Sequence, residues 1–204
     1  MNFFKNNISY IVTPITHIIN CSFETENFPD CLKKTTIVPI YKRGNKEDFN
    51  NYRPISISSN LSKIIERAFL DRLEEFIKLN NIINKNQFGF LKKIGTDEAF
   101  ASLFKEVYEN INKGLLTLIV FFDLSKAFDS VHHKILISKL KKYGFSKAAI
   151  KWCESFLMNR KISVKMDDAN GNWKYQKWGV PQGSILGPIL FLLYINDLYN
   201  VILK

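Results

Sequence analysis

The sequence has 204 residues, enough for one domain or two small lobes with a sizeable buried core. Its 46% hydrophobic and 24% charged residues are typical of a globular protein and argue against a disordered or fibrous chain. Lysine plus arginine exceeds aspartate plus glutamate by 29 to 19, and the resulting net charge of +10 favours polyanions such as nucleic acids. A solvated lysine-rich surface is the alternative interpretation of that charge.

Patterns in the first half of the chain predict three helices and one strand. In chain order, we predict a helix over residues 10–23, a strand over 35–41, a polar loop over 42–51, an amphipathic helix over 61–77 and a helix over 96–113. In the second helix, Glu66 falls among charged residues that should face solvent. In the third, Thr96 is the expected N-cap, and the apolar residues from Phe100 to Ile111 should face the core.

The second half contains the longest predicted strand. Residues 115–122 form a continuous apolar run, which predicts a strand buried on both faces. We then predict helices over 132–143 and 146–158, a strand over 162–166, a hairpin turn at Asn170-Gly171, a return strand over 173–178 and an apolar helix from Ser184 to about Tyr199. This order indicates a mixed α/β (α+β) fold without regular βαβ alternation.

The cysteines and the apolar segments bear on cellular location. The three cysteines form no Cys-x-x-Cys pair, which argues against a disulfide framework or a zinc site. The first twenty residues make a poor signal peptide, and the most apolar run, residues 185–195, is shorter than the ~20 residues that span a bilayer. We therefore expect an intracellular protein, in the cytoplasm or the nucleus, that is not secreted and has no membrane partner.

Asp123 is the first residue that could carry chemistry. It follows the predicted buried strand, so its carboxylate should emerge where the sheet ends and should need a partner. A divalent cation such as Mg²⁺ is one such partner, while an ordinary turn cap is the commoner role of an isolated aspartate. Asp129, six residues further on, is expected to cap the following helix.

A second candidate is the loop at residues 179–184, which has the sequence GVPQGS. Its proline and glycines place a rigid loop before a helix N-terminus, where backbone N–H groups can receive a phosphate or a nucleotide. Gln182 adds a hydrogen-bond donor and an acceptor. Lys42 and Arg53 flank the polar loop near the first strand and suit phosphate recognition. An ordinary capped turn and a solvated loop are the alternatives.

Several longer segments occur together in one order. They are VPIYK at residues 38–42, NYRPIS at 51–56, NQFGF at 86–90, FFDLSKAFD at 121–129, GVPQGSILGP at 179–188 and LYINDL at 193–198. Over about residues 36–198, the chain thus resembles the reverse transcriptases of non-LTR retrotransposons of the LINE or jockey type. The segment at 121–129 is similar to their first catalytic motif, and the segment at 179–188 to their next. A group II intron maturase shares the chemistry but resembles the chain less at residues 123–129.

The resemblance implies a right-hand polymerase fold. Residues 1–34 would be an N-terminal helical extension, residues 35–114 helix-rich fingers, and residues 115–204 a partial palm with an antiparallel sheet. The thumb would be absent from this chain. The implied activity is that of an RNA-directed DNA polymerase, with an RNA template, a DNA primer and dNTP substrates as partners.

The resemblance also implies roles for single residues. Asp123 would be a catalytic carboxylate and a ligand of the two Mg²⁺ ions of the complete enzyme. The other residues would bind the nucleotide: the Leu124 backbone near the metal, Phe128 against a ribose 2′-OH, Gln182 on the incoming nucleotide, and Lys42 and Arg53 on its triphosphate.

Two features depart from the family pattern. Leu91 stands where an arginine is usual, and Lys92 and Lys93 follow it. The sequence also ends at Lys204, before the aromatic-Ala-Asp-Asp motif that supplies the other catalytic carboxylates. We therefore expect this chain, by itself, not to polymerise. The alternative is a catalytically inactive remnant that acts at most as a nucleic-acid-binding protein.

Overall fold

The computed structural model of the protein describes residues 7–92 and 94–199, in which helices are more extensive than strands. The helices in this part are α1 (Ile8–Glu24), α2 (Asn60–Leu79), α3 (Thr96–Asn112), α4 (His133–Lys142), α5 (Lys147–Leu157) and α6 (Gly187–Ile195). The strands are β1 (Lys34–Tyr41), β2 (Tyr52–Ile57), β3 (Lys161–Met166), β4 (Ala169–Asn170) and β5 (Lys174–Tyr175). The mixed α/β class predicted from the sequence is confirmed.

Strand β1 lies inside the sheet, between β2 and β3. It pairs antiparallel with β2, so that Thr36 is opposite Ile57, and parallel with β3, so that Lys34 is opposite Lys161. Strands β4 and β5 both pair antiparallel with β3. The expected sheet was antiparallel, whereas the observed sheet is mixed. A parallel pair needs a long crossover connection, and here β2 and helices α2 to α5 all lie between β1 and β3.

The core forms where α2, α4, α5 and α6 pack together. Helix α2 buries apolar residues at helical spacing, among them Phe69, as its sequence pattern predicts. The ring of Phe69 stacks on Trp152 of α5, with 3.9 Å between ring centroids, and Trp152 is parallel to Phe156. Helix α6 is apolar on all sides and is buried along most of its length, which anchors the loop that precedes it.

Glu66 of α2 does not face solvent as predicted. Its side chain is fully buried. The reason lies in the spacing, because Ser62, Glu66 and Phe69 follow one another at helical intervals along the inward side of α2. Burial of a carboxylate requires hydrogen-bond donors around it.

The predicted buried strand over residues 115–122 is not present. The segment has no regular structure, and Leu116, Leu118, Phe121 and Phe122 are 102%, 89%, 83% and 78% exposed. A strand exists only when a neighbouring strand pairs with it, and no strand of the described chain does so here. The prediction is therefore wrong for this structure. An apolar run indicates that a segment can be buried, but it does not show that another strand is available to pair with it.

Helix α3 forms as predicted, but its apolar side is not buried. The N-cap is Gly95 and not Thr96, which is the first helical residue. Phe100 and Phe104 stack on each other at 6.1 Å and remain more than half exposed, as does Ile111. The helix precedes the segment 115–122, whose apolar residues are exposed as well.

The hairpin turn lies earlier in the chain than predicted. Met166 pairs with Ala169, so Asp167-Asp168 form the two-residue turn, with Asp167 at a φ of +52°. Aspartate tolerates this left-handed conformation better than most residues. At the expected turn, Gly171 donates its N–H to Val164 O at 2.8 Å and interrupts the return strand, which is regular only at β4 and β5.

Candidate functional site

The loop at residues 179–184 is held against strand β2. Ser56 N–H donates to the Gln182 carbonyl at 2.7 Å. The next residue, Gly183, has a φ of +125°, and a Cβ atom built there would lie 2.6 Å from Ser56 O. Only glycine combines this backbone conformation with so close an approach. The loop and β2 are therefore locked together at this point.

The start of the loop is fixed to the segment that follows Asp123. Gly179 N–H donates to Val131 O at 2.8 Å, and Val180 N–H donates to Phe128 O at 2.9 Å. The buried imidazole of His133 donates from Nε2 to Gly179 O at 2.7 Å. Burial lowers the pKa of His133, while this hydrogen bond acts in the opposite direction. The loop is thus hydrogen-bonded both to strand β2 and to the segment from Phe128 to His133, which lie far apart in the sequence.

The end of the loop is capped by side chains of the protein itself. The Glu66 carboxylate accepts the N–H of Ile185 at 2.8 Å and of Leu186 at 3.3 Å, and it also accepts from the Ser62 hydroxyl. Ser184 Oγ accepts the N–H of Gly187 at 2.8 Å, but the N-cap of α6 is Leu186 and not Ser184 as predicted, and the helix runs from Gly187 to Ile195 rather than to about Tyr199. In this arrangement these three N–H groups are already paired, so a phosphate would have to bind elsewhere on the loop.

Phe128 lies beside the same loop. Its ring stacks on Phe191 of α6 at 5.0 Å, and the edge of Phe90 meets it at 5.6 Å. A Cβ atom built at Gly187 would lie 3.9 Å from the Phe128 ring. The half-buried ring therefore borders the site and is held in place by its aromatic neighbours.

Lys42 and Arg53 are both exposed and share one face of the β1–β2 hairpin. Arg53 is opposite Ile40, and Lys42 extends the ladder by donating its N–H to Asn51 O at 2.8 Å. Because side chains alternate between the faces of a strand, Lys42 lies on the same face as Ile40 and Arg53. Arg53 is three residues from Ser56, or about 10 Å along β2 from the contact with Gln182. The structure thus places Lys42 and Arg53 on one face of the hairpin and joins the Gln182 loop to the same hairpin through its backbone.

Asp123 and Leu124 are not drawn into this region. Both lie in an exposed segment without regular structure, and in the described chain Asp123 makes no hydrogen bond or ion pair. Asp129 does not cap the next helix as expected, since the N-cap of α4 is His132. Burial raises the pKa of the Asp129 carboxyl and nearby Lys126 opposes this, although the residue as a whole remains exposed.

The described residues do not by themselves fit a pair of divalent metal ions. Within residues 7–92 and 94–199 no group of three or more His, Cys, Asp or Glu side chains could hold a metal ion. Asp123 offers one carboxylate, whereas two ions need several oxygen ligands in fixed geometry. No catalytic step through a metal follows from these residues alone.

Sequence reasoning missed the burial of Lys33 and of two other charged residues near the sheet and α6. One of these two is Glu66, described above. The other is Arg160, whose guanidinium donates to Phe156 O at 3.2 Å and to Thr35 Oγ1 at 3.0 Å. Burial lowers the pKa of Arg160 to about 10, with Glu66 acting against this. The sequence signal for the burial of Arg160 was its position directly before strand β3, in which apolar and polar residues alternate.

Comparison with known proteins identifies the family. Residues 40–204 match the family described as "Reverse transcriptase (RNA-dependent DNA polymerase)". Members of this family generally use divalent metal ions. Among the described residues, no helix is both long enough and apolar enough to span a bilayer.

Individual relatives agree with that match. The chain is 35% identical over 188 residues to the "Probable RNA-directed DNA polymerase from transposon BS" of Drosophila melanogaster, and 33% identical over 184 residues to the "RNA-directed DNA polymerase from mobile element jockey" of Drosophila funebris. These matches cover 89% and 90% of the chain, but the chain spans only 20% of the length of either relative. The chain therefore belongs to the reverse transcriptase family and is similar to the polymerases of jockey-type, non-LTR mobile elements.

Proposed function

We propose that this chain forms the nucleotide-binding part of an RNA-directed DNA polymerase from a mobile element, acting on an RNA template, a DNA primer and dNTPs. The observation that carries the proposal is the hydrogen bond from Ser56 to the Gln182 carbonyl at 2.7 Å. It joins the loop that would contact the incoming nucleotide to the strand that carries Arg53. Two cations, Arg53 and Lys42, then face the same side and suit a triphosphate.

Asp123 has a different role in this proposal. We assign it as one carboxylate ligand of the two Mg²⁺ ions, with the Leu124 carbonyl beside it and further ligands from other parts of a complete polymerase. Its exposed position is compatible with such a shared site, because no protein donor in the described chain competes for the carboxylate. When bound, the metal ions would supply charge stabilisation for nucleotidyl transfer.

A chimera tests this function. In the RNA-directed DNA polymerase from mobile element jockey of Drosophila melanogaster, this chain replaces the segment that it matches over 182 residues at 34% identity. Template-dependent dNTP incorporation is then measured by primer extension. We expect activity that Asp123→Asn abolishes. The matched control is Asp167→Asn, the same substitution at an exposed hairpin turn, which should leave activity unchanged.

Two further variants separate nucleotide binding from the metal site. Arg53→Gln and Gln182→Ala should raise the KM for dNTP more than they lower kcat if both contact the incoming nucleotide. A folded chimera that lacks activity but binds primer–template would contradict the proposal. That result would favour an inactive, nucleic-acid-binding remnant. We expect the protein to act inside the cell, in the cytoplasm or the nucleus, which fractionation of tagged protein would test.

A further inference from the structure

Two lysines lie side by side at the end of the sheet remote from the turn between β1 and β2. Lys34 begins β1 and is directly opposite Lys161, which begins β3. Like charges in opposite positions destabilise a sheet. The adjoining cavity, of about 380 Å³, has one acidic lining residue, Asp30, whose carboxylate is 2.7 Å from Lys33 Nζ. In the described chain, then, no carboxylate pairs with Lys34 or Lys161, and a bound anion would relieve their repulsion.

Two exposed aromatic rings accompany these lysines. Lys34 Nζ lies 5.9 Å from the ring centre of Trp173, and Lys161 Nζ lies 5.0 Å from that of Tyr175. The two aromatic residues are 49% and 61% exposed, and neither contacts another aromatic ring in the part of the chain that is described. Each ring thus has a lysine ammonium over one face and is still about half exposed, which leaves surface for stacking with unpaired bases while the cations hold the backbone.

We propose that Lys34, Lys161, Trp173 and Tyr175 form a binding surface for single-stranded nucleic acid, here called the lysine–aromatic surface. The lysines contact phosphates and the rings stack on bases. A duplex would satisfy only the lysines, because its bases are already stacked within the helix. An acidic peptide would also use the lysines but would leave the two rings without a partner. The surface lies outside the proposed nucleotide site and does not depend on polymerase activity.

The position of this surface on the sheet supports the proposal. Side chains alternate along β1, so Lys34 and Lys42 lie on the same face, about 26 Å apart. Arg53 lies on that face as well, through its pairing with Ile40. A strand on the lysine–aromatic surface is thus in line with the basic residues of the hairpin. The whole chain, with a net charge of +10, attracts such a polyanion.

The electrostatic half of the proposal is tested with the 204-residue protein and fluorescein-labelled dT12 and rU12, by fluorescence anisotropy without dNTP or Mg²⁺. The variant Lys34→Gln/Lys161→Gln should bind about tenfold more weakly. It should also lower the slope of log K against log salt by about 1.4, since each phosphate contact on a single strand contributes about 0.7. The control Lys134→Gln/Lys147→Gln removes equal charge from exposed helix starts and should change neither quantity appreciably.

The stacking half is tested at Trp173. Trp173→Ala should weaken dT12 binding about tenfold, and Trp173→Phe should restore most of it, because phenylalanine keeps a flat ring. Circular dichroism melts establish that each variant is folded. The proposal is overturned if neither oligonucleotide binds, if the control pair weakens binding as much, or if a 12-base-pair duplex binds as tightly and Trp173→Ala has no effect. Equal competition by polyglutamate would overturn it in favour of an acidic protein partner. None of these outcomes depends on dNTP incorporation, so they are separate from the chimera experiment.

Discussion

The carboxylate of Glu66, buried in α2, accepts the backbone N–H of Ile185 at 2.8 Å and so joins two segments separated by 119 residues. The same oxygen, Oε2, also accepts the N–H of Leu186, and Oε1 accepts from the Ser62 hydroxyl. The negative charge lies at the start of α6, where the helix dipole is positive. One side chain thus fixes both the end of the Gln182 loop and the beginning of the most buried helix.

The first prediction concerns this carboxylate. Glu66→Ala should destabilise the protein by about 3 kcal/mol, because the N–H groups of Ile185 and Leu186 and the Ser62 hydroxyl would lose their acceptor. Glu66→Gln should cost less, about 1–2 kcal/mol, since it keeps one acceptor oxygen. Urea unfolding measures both values. Glu75→Ala, on the exposed side of the same helix, is the control and should change stability by less than about 0.5 kcal/mol.

A second prediction concerns Gly183. Gly183→Ala should destabilise the protein by about 2–4 kcal/mol, because the new methyl group would meet Ser56 O and the φ of +125° is unfavourable for alanine. Gly114→Ala is the matched control, since Gly114 has a φ of +69° and open space around it. The control should cost only about 1 kcal/mol. Equal losses in the two variants, measured by thermal unfolding, would show that the contact with Ser56 contributes nothing.

The third prediction compares two phenylalanines. Phe128→Ala should cost about 2–3 kcal/mol, since its half-buried ring packs on Phe191 and Phe90. Phe122→Ala should cost less than about 0.5 kcal/mol, since that ring is exposed. Chemical denaturation of the 204-residue protein gives both numbers. A loss of several kcal/mol at Phe122 would restore the buried strand predicted from the sequence.

The fourth prediction concerns pH. The pKa of His133 is lowered in the folded protein, chiefly by burial, so the unfolded chain binds more protons near its ordinary pKa of about 6.5. This contribution to stability is complete above that value and is lost as the pH falls below it, by at most about 1.4 kcal/mol per pH unit. Urea titrations from about pH 7.5 to pH 5 should show the loss. His133→Gln, which keeps a donor for Gly179 O, should flatten the curve in this window, and an unchanged curve would assign the loss to another group.

Sequence patterns predicted the helices and strands that depend on a local spacing of apolar residues. Helix α2 follows from apolar residues at helical spacing, and strands β1 and β3 follow from β-branched or alternating residues. The segment 115–122 fails because an apolar run does not say which strand will pair with it. The parallel pairing of β1 and β3 was also out of reach, because register between distant strands leaves no local pattern.

Likewise, some residues of the candidate site could be predicted from the sequence and others could not. Gln182, Lys42 and Arg53 could be named from their motifs, and the structure joins the Gln182 loop to the hairpin that carries the two cations, while their contacts with a nucleotide stay predictions. The role of Glu66 could not, because charged residues in an amphipathic helix are ordinarily exposed and its hydrogen-bond donors lie 119 residues away. Asp123 stays a prediction from resemblance, since the described chain gives its carboxylate no neighbour.

The pairing of Lys34 with Lys161 has a consequence for how the chain folds. Strand β1 pairs with β3, and nearby Phe28 N–H donates to Ser155 Oγ across 127 residues. At a synthesis rate of roughly 5–20 residues per second, β1 would leave the ribosome some 6–25 seconds before β3. During that interval one edge of β1 has no partner, and Lys34 discourages other chains from pairing there. Refolding should accordingly be slow for a chain of this size, since the loop must close before the sheet can form.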